Sequence, residues 1–247
     1  TGDQSGRGDP GAAAVTTLRQ SWFATLVVGV AGAAVLVAVA GPVGRFFGLL
    51  DAGNSGDVSR QTLDAMAGAL AAFAPAVPAL GIIGLLSRAC YVRGKAVLAG
   101  IVVGLAWLAT TITPVLLLDP ATADGPTTLR LLALGSSIGL GVGAATLTVL
   151  VVRDWGRRAL AVPVRALGAT IAGGAVAAVG GWAVGTRTAT DDLVGAVGLG
   201  AAVGVGSLIV MAVVSLAVDP TLARRVRLLR RGRRGDADRA AGQEGGS

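Results

Sequence analysis

Two runs without a single charged residue, 66–86 and 96–118, flank the short basic stretch Ser87-Arg88-Ala89-Cys90-Tyr91-Val92-Arg93-Gly94-Lys95. Their lengths, 21 and 23 residues, correspond to helices of about 32 and 35 Å at ~1.5 Å per residue, enough to cross a hydrocarbon core of ~30 Å. A soluble core seldom needs two such stretches side by side. The pattern predicts two membrane helices joined by a cytoplasmic hairpin, and it limits the rest of the chain to folds that satisfy their backbone inside lipid.

The same reading extends to six spanning helices, at about 22–43, 62–86, 96–118, 128–152, 164–185 and 193–218. The expected fold class is therefore all-α, a polytopic integral membrane helical bundle. Charged residues make up only 14% of the chain, against about a quarter in soluble domains. The 39 glycines fall mostly within the apolar runs, which suits close helix packing in lipid. Pro42 and Arg45 are expected to end the first helix. Pro75 and Pro78 interrupt the second and free carbonyls that neighbours or water must satisfy. Residues 1–20 read as a flexible cytoplasmic leader, and 219–247 as a basic, largely disordered cytoplasmic tail. The chain starts at Thr1 rather than Met, so a natural protein beginning upstream is expected.

The 21 cationic residues are distributed by side. With the 87–95 turn placed inside, 17 lie on that side and 4 (Arg45, Arg60, Arg130 and Arg187) on the other. The positive-inside rule then puts both termini in the cytoplasm. The tail segment Arg224-Arg225-Val226-Arg227-Leu228-Leu229-Arg230-Arg231-Gly232-Arg233-Arg234 directly follows a membrane helix. Each such cation near an anionic leaflet contributes about 1 kcal/mol, so anionic lipids are the expected partner and nucleic acid is not. Arginine dominates over the single lysine, and Ala, Gly and Val are abundant. That usage points to a high-GC bacterium such as an actinobacterium.

Enzymatic chemistry finds little to work with. There is no histidine, Cys90 is the only cysteine, and no carboxylate lies deep in a span. No catalytic residue, cofactor or metal ligand is expected. Ser136, Ser137 and Ser207 read as hydroxyls bonded to the preceding turn. Gly139-Leu140-Gly141-Val142-Gly143 follows no strand, so it is not read as a phosphate loop. The pairs Gly100/Gly104, Gly139/Gly143, Gly181/Gly185 and Gly200/Gly204 read as helix contact faces. Arg7-Gly8-Asp9 spells an adhesion tripeptide and is read as ordinary leader. Arg88 is either an interfacial anchor or a cation that meets a lipid-linked phosphate at the cytoplasmic mouth, and Arg93 has the same two readings.

The run Gly84-Leu85-Leu86-Ser87-Arg88-Ala89-Cys90-Tyr91-Val92-Arg93-Gly94 resembles the R-A-F/L-Y-A-R-G-D turn of the MviN/MurJ family of lipid II flippases, in the multidrug/oligosaccharidyl-lipid/polysaccharide exporter superfamily. Residues 69–80 look like the family's helix before that turn, and 134–140 like its G-L-S-L/N-S-I-G helix start. Trp107 matches a feature of actinobacterial members. The resemblance covers about residues 19–218, corresponding to the last six of the family's fourteen helices. Cys90 replaces a bulky residue, Lys95 stands where Asp is common, and the usual Thr-Pro after the turn is missing.

The resemblance implies transport by alternating access, with lipid II, the lipid-linked peptidoglycan precursor, turned across the cytoplasmic (inner) membrane for cell-wall synthesis. It makes Arg88 and Arg93 the candidate substrate-binding residues. It assigns 164–185 and 193–218 to an apolar groove for the lipid tail. The family's cavity arginines lie largely in helices this chain lacks, so the six helices should form an incomplete lobe rather than a self-sealed bundle. Two alternatives stand beside this reading. One is an exporter of another polyprenyl-linked glycan or a drug. The other is a membrane scaffold that recruits cell-wall or division proteins through its tail.

Overall fold

The computed structural model describes residues 10–51, 65–119, 124–188 and 192–218. These residues are all-helical, and six helical segments are long and apolar enough to cross a membrane. In order they are α1 (Pro10–Asp51), α2 (Met66–Phe73) continuing after a break as α3 (Ala76–Val92), α4 (Ala96–Leu117), α5 (Gly125–Trp155), a short 3-10 helix (Arg157–Leu160), α6 (Val164–Arg187) and α7 (Leu193–Val218). α2 and α3 together form one span. The expected tail, residues 1–9 and Arg60 lie outside the described residues.

α1 corrects the expected boundaries at both ends. It runs for 42 residues, or about 63 Å, roughly twice the hydrocarbon thickness. Part of the expected leader is therefore helix from Pro10 onward. Pro10 is the first helical residue, where a missing N–H costs nothing, and the alanines that follow favour helix. Leu18 and Trp22 are buried in the same apolar cluster as Ala89, Cys90 and Ala159, and α1 contacts both α3 and the 3-10 helix, so this end of α1 is packed. At the other end the helix continues past Pro42. A proline removes one hydrogen bond, here to the Ala38 carbonyl. Gly185 of α6 covers that place so closely that a Cβ on it would stand 2.8 Å from Pro42 Cδ and 3.1 Å from Ala38 O. Pro42 is fully buried. The proline thus serves as a contact point instead of a terminator.

The break between α2 and α3 falls where the prolines predict it. Val77 N bonds Ala74 O at 3.2 Å across the break. Ser137 Oγ on α5 donates to the freed Ala72 carbonyl at 2.6 Å. This corrects the expectation that Ser137 bonds within its own helix; Ser136 does so, to Leu132 O at 2.9 Å. Ser207 also reaches across, to Ala177 O at 3.3 Å. In lipid a hydroxyl satisfied by a neighbouring helix holds the pair together.

Glycine and alanine make the remaining contacts. Gly135, Gly139 and Gly143 of α5 meet Pro114, Thr110 and Ala106 of α4 in antiparallel register. Gly174, Gly181 and Gly185 of α6 meet Val30, Ala38 and Pro42 of α1 in parallel register. Gly200 and Gly204 of α7 lie against Pro42, Val39 and Val35. Three of the four expected small-residue pairs are therefore contact faces. Gly100 and Gly104 are not, since nothing lies within 4 Å of a Cβ built on either.

α1 touches both halves: α2, α3 and the 3-10 helix on one side, α6 and α7 on the other. α4 lies at the edge, packed mainly on α5. Its outer side exposes Val97, Ile101, Leu105, Leu108 and Ile112. Lipid tails or further helices satisfy such an apolar face equally well.

Candidate functional site

The basic stretch is mostly helix. α3 runs to Val92, so Arg88, Cys90 and Tyr91 belong to its last turns, and only Arg93-Gly94-Lys95 forms the connection. Lys95 N donates to Cys90 O at 3.0 Å and Gly94 N to Tyr91 O at 3.0 Å. These two bonds close the last carbonyls in a Schellman arrangement. The glycine is required because Gly94 has φ +71°, a left-handed conformation that a Cβ opposes.

This connection is tied to the end of α5. Lys95 Nζ pairs with Asp154 Oδ1 at 2.6 Å. The Arg93 guanidinium carbon lies 4.4 Å from the centroid of the Trp155 ring, within cation–π range. α5 stops at the next residue, Gly156, whose φ is +80°. The 3-10 helix follows and buries Ala159 against α1 while leaving Arg157 and Arg158 exposed.

Arg88 stands differently. It is exposed and makes no hydrogen bond or ion pair among the described residues. Its neighbours Ser87 and Cys90 face inward and are buried. Helical spacing produces this division: positions 83, 86, 87 and 90 share the packed face, and Arg88 falls on the other side. Of the two candidate residues, one is held by an aromatic ring and the other is free. Arg19 and Arg153 are also exposed at this end of the bundle. Its only described carboxylate, Asp154, already has Lys95 as partner.

A second feature lies between α6 and α7. A cavity of about 520 Å3 is lined by Val176, Ala177, Gly180, Gly181 and Val184 on one helix and by Leu199, Ala202, Val203, Gly206, Ser207 and Val210 on the other. Val176, Val184 and Val210 are exposed along its rim. No charged side chain lines it, and its one hydroxyl, Ser207, is bonded to Ala177 O. Small residues opposite valines leave the space: a Cβ on Gly180 or Gly206 would meet nothing within 4 Å, and both line the groove. Such a surface takes an alkyl chain and offers nothing to a polar group.

Among the described residues no cluster of His, Cys, Asp or Glu is arranged to hold a metal. No family model, curated protein or solved structure matches this chain.

Sequence reading missed the Lys95–Asp154 and Arg93–Trp155 contacts, although their signal was present. Lys95 directly precedes α4, and Asp154 and Trp155 end α5. Two antiparallel neighbours of 22 and 31 residues bring those positions to the same end.

Proposed function

We propose that this chain is the C-terminal part of a lipid II flippase of the MviN/MurJ type, working by alternating access in the cytoplasmic membrane with both termini in the cytoplasm. The observation that carries the reading is the uncharged groove between α6 and α7. It falls between the two helices that the resemblance assigns to the lipid tail. Its size, about 520 Å3, lies in the ~300–1,000 Å3 range of small-molecule sites. A polyprenyl chain fits its chemistry.

Arg88 is the cation available for the pyrophosphate at the cytoplasmic mouth, because guanidinium forks suit phosphate and this one has no competing partner. Arg93 supports the turn through Trp155. The orientation rests on the distribution of cations: Arg19, Arg88, Arg93, Lys95, Arg153, Arg157 and Arg158 gather at one end of the bundle, as the positive-inside rule expects of the cytoplasmic face.

The test is a leaflet assay in cells depleted of the protein. Lipid II should become inaccessible to a membrane-impermeant lipid II-binding reagent added from outside, while total lipid II rises. Unchanged accessibility overturns the reading. Accumulation of a different polyprenyl-linked glycan, with lipid II unaffected, replaces the cargo and keeps the transporter class.

A further inference from the structure

One line of residues along α3 is left uncovered by the rest of the bundle. Leu80, Gly84, Arg88 and Tyr91 follow one another at spacings of four, four and three residues, which aligns them along one side of the helix. All four are exposed, Leu80 by 39% and Tyr91 by 51%. A Cβ on Gly84 would meet nothing within 4 Å, so the approach to Arg88 along the helix is open. Ile83, Leu86, Ser87 and Cys90, on the packed side of the same turns, are buried and fix which way the line faces.

The chemistry changes along this line. Leu80 lies near the middle of the span Met66–Val92, and with Gly84 it offers only apolar surface. Arg88 brings an exposed guanidinium. Tyr91 follows within one turn, at the end of α3. Its hydroxyl makes no hydrogen bond and its ring no aromatic or cation contact among the described residues. Helical residues three apart have Cβ atoms about 5–6 Å from each other, so ring and guanidinium start side by side. The order is apolar, then cationic, then aromatic, running from mid-span to the end of the helix. An amphiphile built as prenyl chain, diphosphate and sugar presents its own groups in that order from bilayer to water.

We propose that Tyr91 positions the first sugar of the cargo, stacking on the pyranose attached to the diphosphate that Arg88 meets. The face of an aromatic ring carries negative charge density and attracts the C–H edges of a sugar. Arg88 reads only the anion, which a bare prenyl diphosphate also carries. Tyr91 adds the sugar, and so separates the loaded carrier from the bare one. This inference rests on the reading of Arg88 as the pyrophosphate-binding cation.

The test uses the purified full chain in a neutral detergent and two probes. One is farnesyl diphosphate, and the other is the same prenyl diphosphate carrying an N-acetylated hexosamine. Bound probe is counted by native mass spectrometry, and thermal midpoints confirm that the variants fold. Wild type should hold the glycosylated probe roughly three- to tenfold more tightly, the scale of one aromatic contact. Tyr91→Leu should hold both probes alike, at the wild-type affinity for the bare one. Tyr91→Phe keeps the ring and should keep the preference. Arg88→Gln should weaken both probes roughly ten- to a hundredfold, from loss of a charge-assisted hydrogen bond. A preference that survives in Tyr91→Leu overturns the role of Tyr91 and leaves that of Arg88 standing. Equal weakening of both probes by Tyr91→Leu makes Tyr91 an interfacial anchor and also overturns it. Should Tyr91→Leu not fold, equal binding of the two probes by wild type overturns it instead. Undiminished binding of both probes by Arg88→Gln overturns the reading of Arg88 itself.

Discussion

Lys95 and Asp154 face each other at 2.6 Å across the open end of the α4–α5 hairpin. The pair joins the connection after α3 to the last turn of α5, and the Arg93–Trp155 stack lies two residues before Lys95 and one after Asp154. Their side chains are 44% and 18% exposed, so solvent screens much of the attraction. Exposed pairs contribute ~0.2–1 kcal/mol. Lys95→Met and Asp154→Asn should each lower the thermal midpoint slightly. A double-mutant cycle should return a coupling in that range, shrinking as salt is raised. A coupling of zero at low salt would mean that the stack alone holds the hairpin end.

The glycine faces make a sharper contrast. A Cβ on Gly139 would stand 2.6 Å from Thr110 N and 2.9 Å from Ala106 O, both backbone atoms that cannot step aside. Gly139→Ala should force α4 and α5 apart and cost about 1–3 kcal/mol, the usual range for overpacking. Gly100→Ala and Gly104→Ala meet nothing within 4 Å and should be neutral or slightly stabilising, because alanine is the better helix former. Unfolding in mixed detergent, followed by helical circular dichroism, measures the difference.

Acid should loosen the start of α5. Asp124 is its N-cap and accepts a hydrogen bond from Thr127 N at 2.8 Å. Hydrogen bonding from the Thr127 side chain, and then from its backbone N–H, holds the Asp124 carboxyl below its ordinary value of 3.8. A carboxyl depressed in the folded state stabilises above its unfolded pKa and loses that contribution as pH falls through the folded one. Protection of the first amides of α5 from hydrogen exchange should therefore be constant above about pH 5 and fall below about pH 4. In Asp124→Asn the step should disappear, since asparagine caps without titrating.

The six spans were legible in the sequence because length and absence of charge decide them, and the α2–α3 break was legible because Pro75 and Pro78 remove two backbone donors within one turn. The ends of α1 were not. Pro42 carries the signal of a helix end, and only the presence of Gly185 on the next-but-several helix turns it into a packing point. Likewise Gly100/Gly104 and Gly139/Gly143 are alike in spacing. What separates them is which face of α4 or α5 meets a neighbour, a tertiary fact that no local pattern encodes. The serines show the same limit: Ser136 and Ser137 are adjacent, yet one bonds its own helix and the other Ala72. At the candidate site, the sequence picked out Arg88 and Arg93 together. Their different standing depends on Trp155, which is 62 positions from Arg93 in the chain.

That difference yields the most discriminating variants. Arg93 lies over Trp155, so Arg93→Ala should cost about 0.5–1 kcal/mol of stability, the range for an exposed cation–π contact, and Arg93→Lys should recover part of it. Arg88 has no partner among the described residues and is exposed, so Arg88→Ala should leave the thermal midpoint unchanged within about 0.5 kcal/mol. If Arg88 is the residue that meets the pyrophosphate, Arg88→Ala should still slow the appearance of lipid II in the outer leaflet. Arg88→Lys, which keeps the charge but loses the bidentate fork, should fall between it and wild type. Thermal unfolding and the leaflet assay on the same four variants separate the roles. A loss of transport in Arg88→Ala that tracks a loss of stability would make Arg88 a structural anchor, and unchanged transport would leave the pyrophosphate to another cation.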